Sequence, residues 1–229
     1  MHIVTAFYLS TTGSYEDDDR TEELMYCVNH NMNSPFVEKI HLFIENEAAH
    51  ERIKTLSHCE HYNKIHIVEG YIVPTYIDIF TYIITNLKNE VCMVTNSDIY
   101  LYECQGHLLE KLKNERTAYA LSRYEADIHY APAVDQYHGS HDAYIFKVEL
   151  EDSILKELNY YQNHPGIESR IINALCNQGF TMYNPSYQIK IVHQHRIQIR
   201  NHREWIGIHD QSENERWQNS KWNLPPCTL

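Results

Sequence analysis

Carboxylates and imidazoles in a few short stretches are the residues of this chain whose types and spacing suit chemistry. Thr95-Asn96-Ser97-Asp98-Ile99-Tyr100 directly follows the apolar run Val91–Val94. If that run is a central strand, Asp98 stands at its carboxyl end, where ligands gather in open α/β sheets. An acid there suits Mg²⁺ or Mn²⁺, which take few protein ligands and keep other positions for phosphate oxygens and water. The alternative is a turn-capping Asp, since Asn-Ser-Asp is also ordinary turn chemistry. His193 and His195 are two apart at the end of Ile189–Val192, so both face one way and suit a divalent transition metal. In a chain with 16 His, however, close pairs also arise by chance. His58-Cys59-Glu60-His61 has metal-binding residue types too, but it falls at a helix end facing a turn.

Two further carboxylates are candidates for proton transfer. Glu168 lies in the first turn of an expected helix over 166–178, where the dipole also favours an acid. Asp142 follows Gly139-Ser140-His141 and precedes an apolar run. Both residue types are equally ordinary as helix-start and turn-capping groups, and the residues alone do not choose between them. Arg123, at the end of an expected strand, suits either a diphosphate or a core carboxylate such as Asp98.

The elements that must position these groups alternate between strand-like and helix-like patterns. This predicts an α/β fold with a mainly parallel central sheet and helices on both faces. Strands are expected at Ile3–Leu9, Val37–Glu45, Lys64–Val68, Val91–Thr95, Thr117–Tyr124, Ala143–Lys147 and Ile189–Val192. Helices are expected from Thr21, as N-cap, to about Asn31, over Ala48–Leu56, from Pro74-Thr75 through Leu87, and over Glu151–Tyr161 and Gly166–Gln178. Thr11–Arg20, with the acidic run Glu16–Asp19, is expected as a solvated loop. The pattern gives one domain over residues 1–200 and a C-terminal arm, 201–229, packed on it and holding Trp205, Trp217 and Trp222.

Composition narrows the function classes. The 229 residues are 43% hydrophobic and 22% charged, as in globular proteins. The net charge of -12 argues against a nucleic-acid binder, whose affinity rests on clustered Lys and Arg. No run is apolar and long enough for a membrane span. The first residues show no basic n-region or cleavage site, and the six scattered Cys contain no C-x-x-C pair. The expectation is a cytoplasmic protein with reduced thiols.

Several stretches agree, in order, with a known pattern. They are Val4-Thr5-Ala6-Phe7 with Arg20 and Glu23 downstream, Pro74-Thr75-Tyr76, Asn96-Ser97-Asp98-Ile99 and Leu121-Ser122-Arg123-Tyr124. There follow Gly139–Phe146, Pro165–Ile171, Gly179-Phe180, Asn184-Pro185-Ser186 and His193-Gln194-His195. The set resembles the GT-A (Rossmann-related) nucleotide-sugar glycosyltransferases, in particular the small enzymes encoded by large algal (chlorella) viruses, over about residues 1–200. Ser97-Asp98 looks like a variant of the DxD motif of these enzymes, with Asn96 in place of the first Asp. The resemblance implies a UDP-sugar donor, a glycan or other hydroxyl acceptor, and Mn²⁺ or Mg²⁺ on Asp98, with His193 or His195 as a further ligand. It places the nucleotide near Ala6, Phe7, Tyr8, Arg20, Thr75, Asn96, Ser97 and Arg123, and makes Tyr71–Tyr76 a loop that closes over the donor. It implies Glu168, with Asp142 as the alternative, as the acceptor-side carboxylate. Two other classes compete: a phosphoester metallohydrolase, and a non-catalytic sugar-nucleotide or glycan binder that has kept the pocket.

Overall fold

A computed structural model describes residues 1–9, 15–126, 141–162, 167–195 and 224–229. In chain order the elements are β1 (His2–Phe7), α1 (Tyr15–Asn33), β2 (Lys39–Ile44), α2 (Glu47–Lys54), β3 (Ile65–Tyr71), α3 (Tyr76–Asn86), β4 (Val91–Thr95) and β5 (Ile99–Cys104). Then come α4 (Gly106–Asn114), β6 (Thr117–Leu121), β7 (Arg123–Glu125), β8 (Ala143–Lys147), α5 (Ile167–Asn177), β9 (Thr181–Tyr183) and β10 (Ile189–His193).

Seven strands form the main sheet in the order β3-β2-β1-β4-β8-β6-β9. β3, β2, β1 and β4 run parallel, and β8 is antiparallel to both β4 and β6. Every residue of β1 and β4 is buried, which is why both read as mainly apolar runs, interrupted only by His2, Thr5 and Thr95. Alternate side chains supply two cores. Ile3, Phe7, Val91 and Met93 meet Leu24 and Val28 of α1, Ile53 of α2 and Leu108 and Leu112 of α4 on one face. Val4, Cys92 and Val94 meet Ile79, Phe80 and Ile83 of α3 and Ile171 and Leu175 of α5 on the other. Full burial of a side chain such as Phe80 or Ile83 contributes about 1.5–3 kcal/mol. The helix expected to open at Pro74-Thr75 is α3, and Thr75 caps it in a reciprocal box with Asp78.

A second sheet has three strands, in the order β5-β10-β7. β10 is antiparallel to β5 and parallel to β7, and His193 pairs with Ile99 on one side and Glu125 on the other. The β10–β5 register slips between Lys190 and Ile191, whose partners are Glu103 and Leu101, so Tyr102 is an extra, bulged residue on β5. The buried Asn31 of α1 fastens this sheet. Its Nδ2 donates to Ile99 O (3.0 Å) and its Oδ1 accepts from Leu101 N (2.8 Å).

Several sequence expectations are corrected. α1 starts at Tyr15, so Glu16–Asp19 belongs to a helix and Thr21 lies inside it, not at its cap. An acidic run at a helix start gains from the dipole as much as from solvation in a loop. Thr117–Tyr124 is not one strand. The chain leaves the main sheet at Ser122, whose N–H donates to Ser186 Oγ (2.9 Å), and Arg123 therefore begins β7 instead of ending a buried strand. Glu151–Tyr161 holds only a 3-10 segment, Asp152–Glu157. The second sheet, α4 and β9 were not expected. Of the C-terminal stretch, residues 224–229 lie against the domain, where Leu224 O accepts from Asn184 Nδ2 (2.8 Å) and Leu229 N donates to Gln188 Oε1 (2.6 Å). Trp205, Trp217 and Trp222, like Pro165, Gly166, Gly139 and Ser140, fall outside the described residues. All six cysteines are free thiols. Among the described residues, no helix is long and apolar enough to cross a membrane.

Candidate metal centre and donor site

Sheet order reverses direction between β1 and β4, and the carboxyl ends of these strands open the crevice where such folds bind ligands. Thr5 Oγ1 donates to Thr95 O (2.8 Å) and Thr95 Oγ1 donates to Asp142 O (2.9 Å), which fixes three strands at this edge. Gln162 Nε2 reaches the same Thr95 carbonyl (3.2 Å).

Asp98 sits in the turn between β4 and β5, its side chain only 13% exposed. Its Oδ2 accepts from Arg20 Nη2 (2.6 Å) and meets His193 Nε2 (3.2 Å), with His195 Nδ1 at 3.5 Å. The Gln194 N–H donates to Asp98 O (2.8 Å), so the end of β10 and this turn are tied by backbone as well. Burial alone would raise the Asp98 carboxyl. The His193 hydrogen bond, the adjacent His195 and the Arg20 charge overcome it and hold the carboxyl well below its ordinary value.

Arg20 is 3% exposed. Nη1 donates to Glu23 Oε2 (2.8 Å) and Gln194 O (3.1 Å), so the guanidinium is engaged by the protein. Burial opposes its charge, and Asp98 and Glu23 more than restore it.

His193 lies between two carboxylates: Nε2 faces Asp98, and Nδ1 faces Glu125 Oε2 at 2.9 Å. Burial lowers its pKa, but the two carboxylates win and raise it to about 9. For Glu125 burial raises, and His193 and Arg123 bring the carboxyl down to about 2. The His195 ring stacks on His193, with centroids 5.0 Å apart and planes 9° from parallel. Both His195 ring nitrogens are buried and make no hydrogen bond among the described residues.

A third cluster continues from Glu125. Arg123 Nε donates to Glu125 Oε1 (2.6 Å) and Nη1 to Asp142 Oδ1 (2.9 Å), and Asn96 Nδ2 approaches the same Asp142 oxygen (3.3 Å). Asp142 is 5% exposed, and its burial raises its pKa although Arg123 counters it. Glu168 stands in the first turn of α5, half-buried. It is grouped with Asp142 around the buried Tyr76, whose phenol is pushed up by burial first and then by these two charges.

The structure thus brings Asp98, His193, His195, Arg20, Arg123, Asp142 and Asn96 into one connected network. Arg123 takes the core-carboxylate alternative, with Asp142 and Glu125 and not Asp98 as its partners. Ser97 is half-buried in the turn beside Asp98. Phe7 puts its side chain into the core and Ala6 is buried, so at those positions only backbone is left to face a ligand. Tyr8 follows at the strand end, on the Arg20 side of the site. Thr75 spends its hydroxyl and N–H on the capping box with Asp78. His58, Cys59, Glu60 and His61 form no metal cluster; among the described residues only Asp98, His193 and His195 do. Three participants were given no role from sequence: Glu23, Glu125 and Gln162. Glu125 was readable, being two residues beyond Arg123 on one strand face.

As a donor set, one ionised carboxylate and two imidazoles fit a borderline divalent ion, and their ligand atoms lie within 4.8 Å of one another. The unpartnered Nε2 of His195 is the observation that speaks for a ligand, since a buried polar atom without a partner costs about 1–3 kcal/mol.

No protein-family model matches the sequence, and no curated protein does. Among solved structures the chain is similar to the mannosyltransferase PcManGT from Pyrobaculum calidifontis in complex with GDP-Man and Mn²⁺. The TM-score is 0.53 at 9% identity, over 84% of this chain and 56% of that one. The fold is that of the GT-A nucleotide-sugar transferases. A looser likeness, TM-score 0.49 at 9% identity, is to the 1–349 piece of S. aureus TarS in complex with UDP-GlcNAc, over 86% of this chain and 61% of that one. This chain therefore spans a little over half the length of these neighbours. At such identity the likeness establishes the GT-A fold, and the site's chemistry has to be argued from its own residues.

Proposed function

We propose that this chain is a divalent-metal-dependent glycosyltransferase moving a sugar from a UDP-sugar to a hydroxyl of a glycan acceptor. The observation that carries the reading is the Asp98–His193–His195 cluster at the β1/β4 crevice of a GT-A fold. Asp98, His193 and His195 would hold the ion, which offsets charge on the departing diphosphate. Two imidazoles in the set favour Mn²⁺ over Mg²⁺, whose preference is for oxygen ligands.

Arg20, itself held by Glu23, helps His193 and His195 keep the Asp98 carboxylate ionised and aimed. In the transfer the acceptor oxygen bonds to the anomeric carbon, the bond from that carbon to the diphosphate breaks, and the acceptor proton passes to a base. Glu168, in the first turn of α5 and near Tyr76 as Asp142 is, is our first candidate for that base, with Asp142 the alternative. Tyr8, Asn96 and Ser97 border the crevice where the nucleotide would lie.

Calorimetric titration of UDP, GDP and CMP with and without Mn²⁺, repeated on Asp98→Ala and Asp98→Asn, tests the reading. Metal-dependent UDP binding that both variants lose is expected. Absence of nucleotide binding under every metal condition would overturn it.

A further inference from the structure

We infer that Glu125 is a positioning residue that turns His193 toward the ion, an assignment that rests on the metal-centre reading above. In parallel register on the small sheet, β7 and β10 place Glu125 beside His193. Glu125 Oε2 meets His193 Nδ1 at 2.9 Å, and the opposite ring nitrogen, Nε2, faces Asp98 Oδ2 at 3.2 Å. When an ion replaces the Nε2 proton that faces Asp98, a carboxylate accepting from Nδ1–H keeps Nε2 as the ligating nitrogen, locks the ring plane and raises the basicity of the ligand.

Glu125 is itself held. Its other oxygen accepts from Arg123 Nε at 2.6 Å, and Arg123 Nη1 is anchored on Asp142 at 2.9 Å. The chain Asp142–Arg123–Glu125–His193 therefore transmits the position of the β8 entry to the first coordinating imidazole. His195 has no equivalent among the described residues; it is placed by stacking on His193. The two imidazoles are unequal, and orientation of the pair depends on Glu125.

The test uses metal-stripped protein titrated with Co²⁺, followed by calorimetry and visible d–d absorption, for the parent, Asp98→Ala, Glu125→Ala and Glu125→Gln. Glu125→Ala is expected to weaken Co²⁺ binding by about 10–100-fold and to alter the d–d bands. Glu125→Gln, which keeps an acceptor oxygen, is expected to recover part of the affinity. Should Glu125→Ala not fold, a several-fold loss in Glu125→Gln supports the assignment by itself. If the parent binds and Asp98→Ala does not, but both Glu125 variants match the parent within twofold with an unchanged spectrum, Glu125 has no such role and the metal centre stands. A parent that takes up no Co²⁺ overturns both.

Discussion

Asp142 and Glu168 both act on the buried Tyr76, yet their surroundings differ. Asp142 is buried and bonded to Arg123 and Asn96, while Glu168 opens a helix and is half-buried beside Tyr76. Under the proposed reaction, Glu168→Gln lowers kcat by about 10²–10⁴ and leaves metal-dependent UDP affinity within a few-fold of the parent. Asp142→Asn weakens the hold on Arg123 and lowers unfolding free energy by about 1–3 kcal/mol in urea titrations. Steady-state kinetics and denaturation on the two variants separate these roles; the reverse pattern, a stable but inactive Asp142→Asn, would make Asp142 the base. Residue-scale reading of the sequence singled out Asp98 because it follows a strand whose apolar run marks its own end. It missed the partner of Arg20, since the Arg20–Asp98 contact spans 78 positions and no spacing encodes it.

Elements were legible where one face alone decided them. β4, with five buried residues in a row, and α3, with its Thr75 cap and Tyr76, Ile79, Phe80 and Ile83 on one side, match expectation closely. The small sheet was not legible. Its strands are short and partly exposed, and the break at Ser122 depends on hydrogen bonds that the Ser122 N–H donates to Ser186 and Asn184, 64 and 62 residues away. α4 begins at Gln105-Gly106 without a side-chain cap, so its start carried no signal, although Leu108, Leu109 and Leu112 have helical spacing. Asn31 is the clamp between α1 and the small sheet. Asn31→Ala strands the Ile99 carbonyl and the Leu101 N–H and should cost about 2–4 kcal/mol in denaturant unfolding. A cost below about 0.5 kcal/mol would mean that α1 does not hold β5 through this residue.

For the whole molecule, the alternation of strands and helices was enough to give a mainly parallel α/β sheet with two covered faces, and two cores are observed. The histidine-rich composition finds one purely structural use in the main sheet. His41 of β2 bonds His2 Nδ1 through Nε2 (2.9 Å) and Tyr82 OH through Nδ1 (2.8 Å), and its ring lies 5.1 Å from that of His66. Burial, then the neighbouring His2 and His66, lower its pKa to about 3. His2 is lowered too, by burial against the pull of Glu38 and Glu90. The unfolded chain therefore binds protons near pH 6.5 that the folded chain refuses until about pH 3. This contribution to stability is complete above pH 6.5 and is lost as pH falls from there toward 3, with a slope of up to about 1.4 kcal/mol per pH unit. Urea unfolding between pH 4 and 7 should show that slope, and His41→Gln should flatten it by close to one proton; an equal slope in the variant would contradict the argument.

The bulge on β5 bears on how this architecture tolerates changes in chain length. Ile99, Leu101 and Cys104 all face the core, although Leu101 and Cys104 are three apart, and that is possible only because Tyr102 stands outside the ladder. Loss of Tyr102 would leave a strand of strict alternation, with Ile99 still opposite His193 and Asp98 still beside it. Loss of a residue elsewhere in β5, with the bulge kept, would instead turn the preceding part of the strand over and carry the carboxylate away from its histidines. Shortening by one residue is therefore absorbed at the bulge of β5, because Tyr102 takes no place in the ladder with β10.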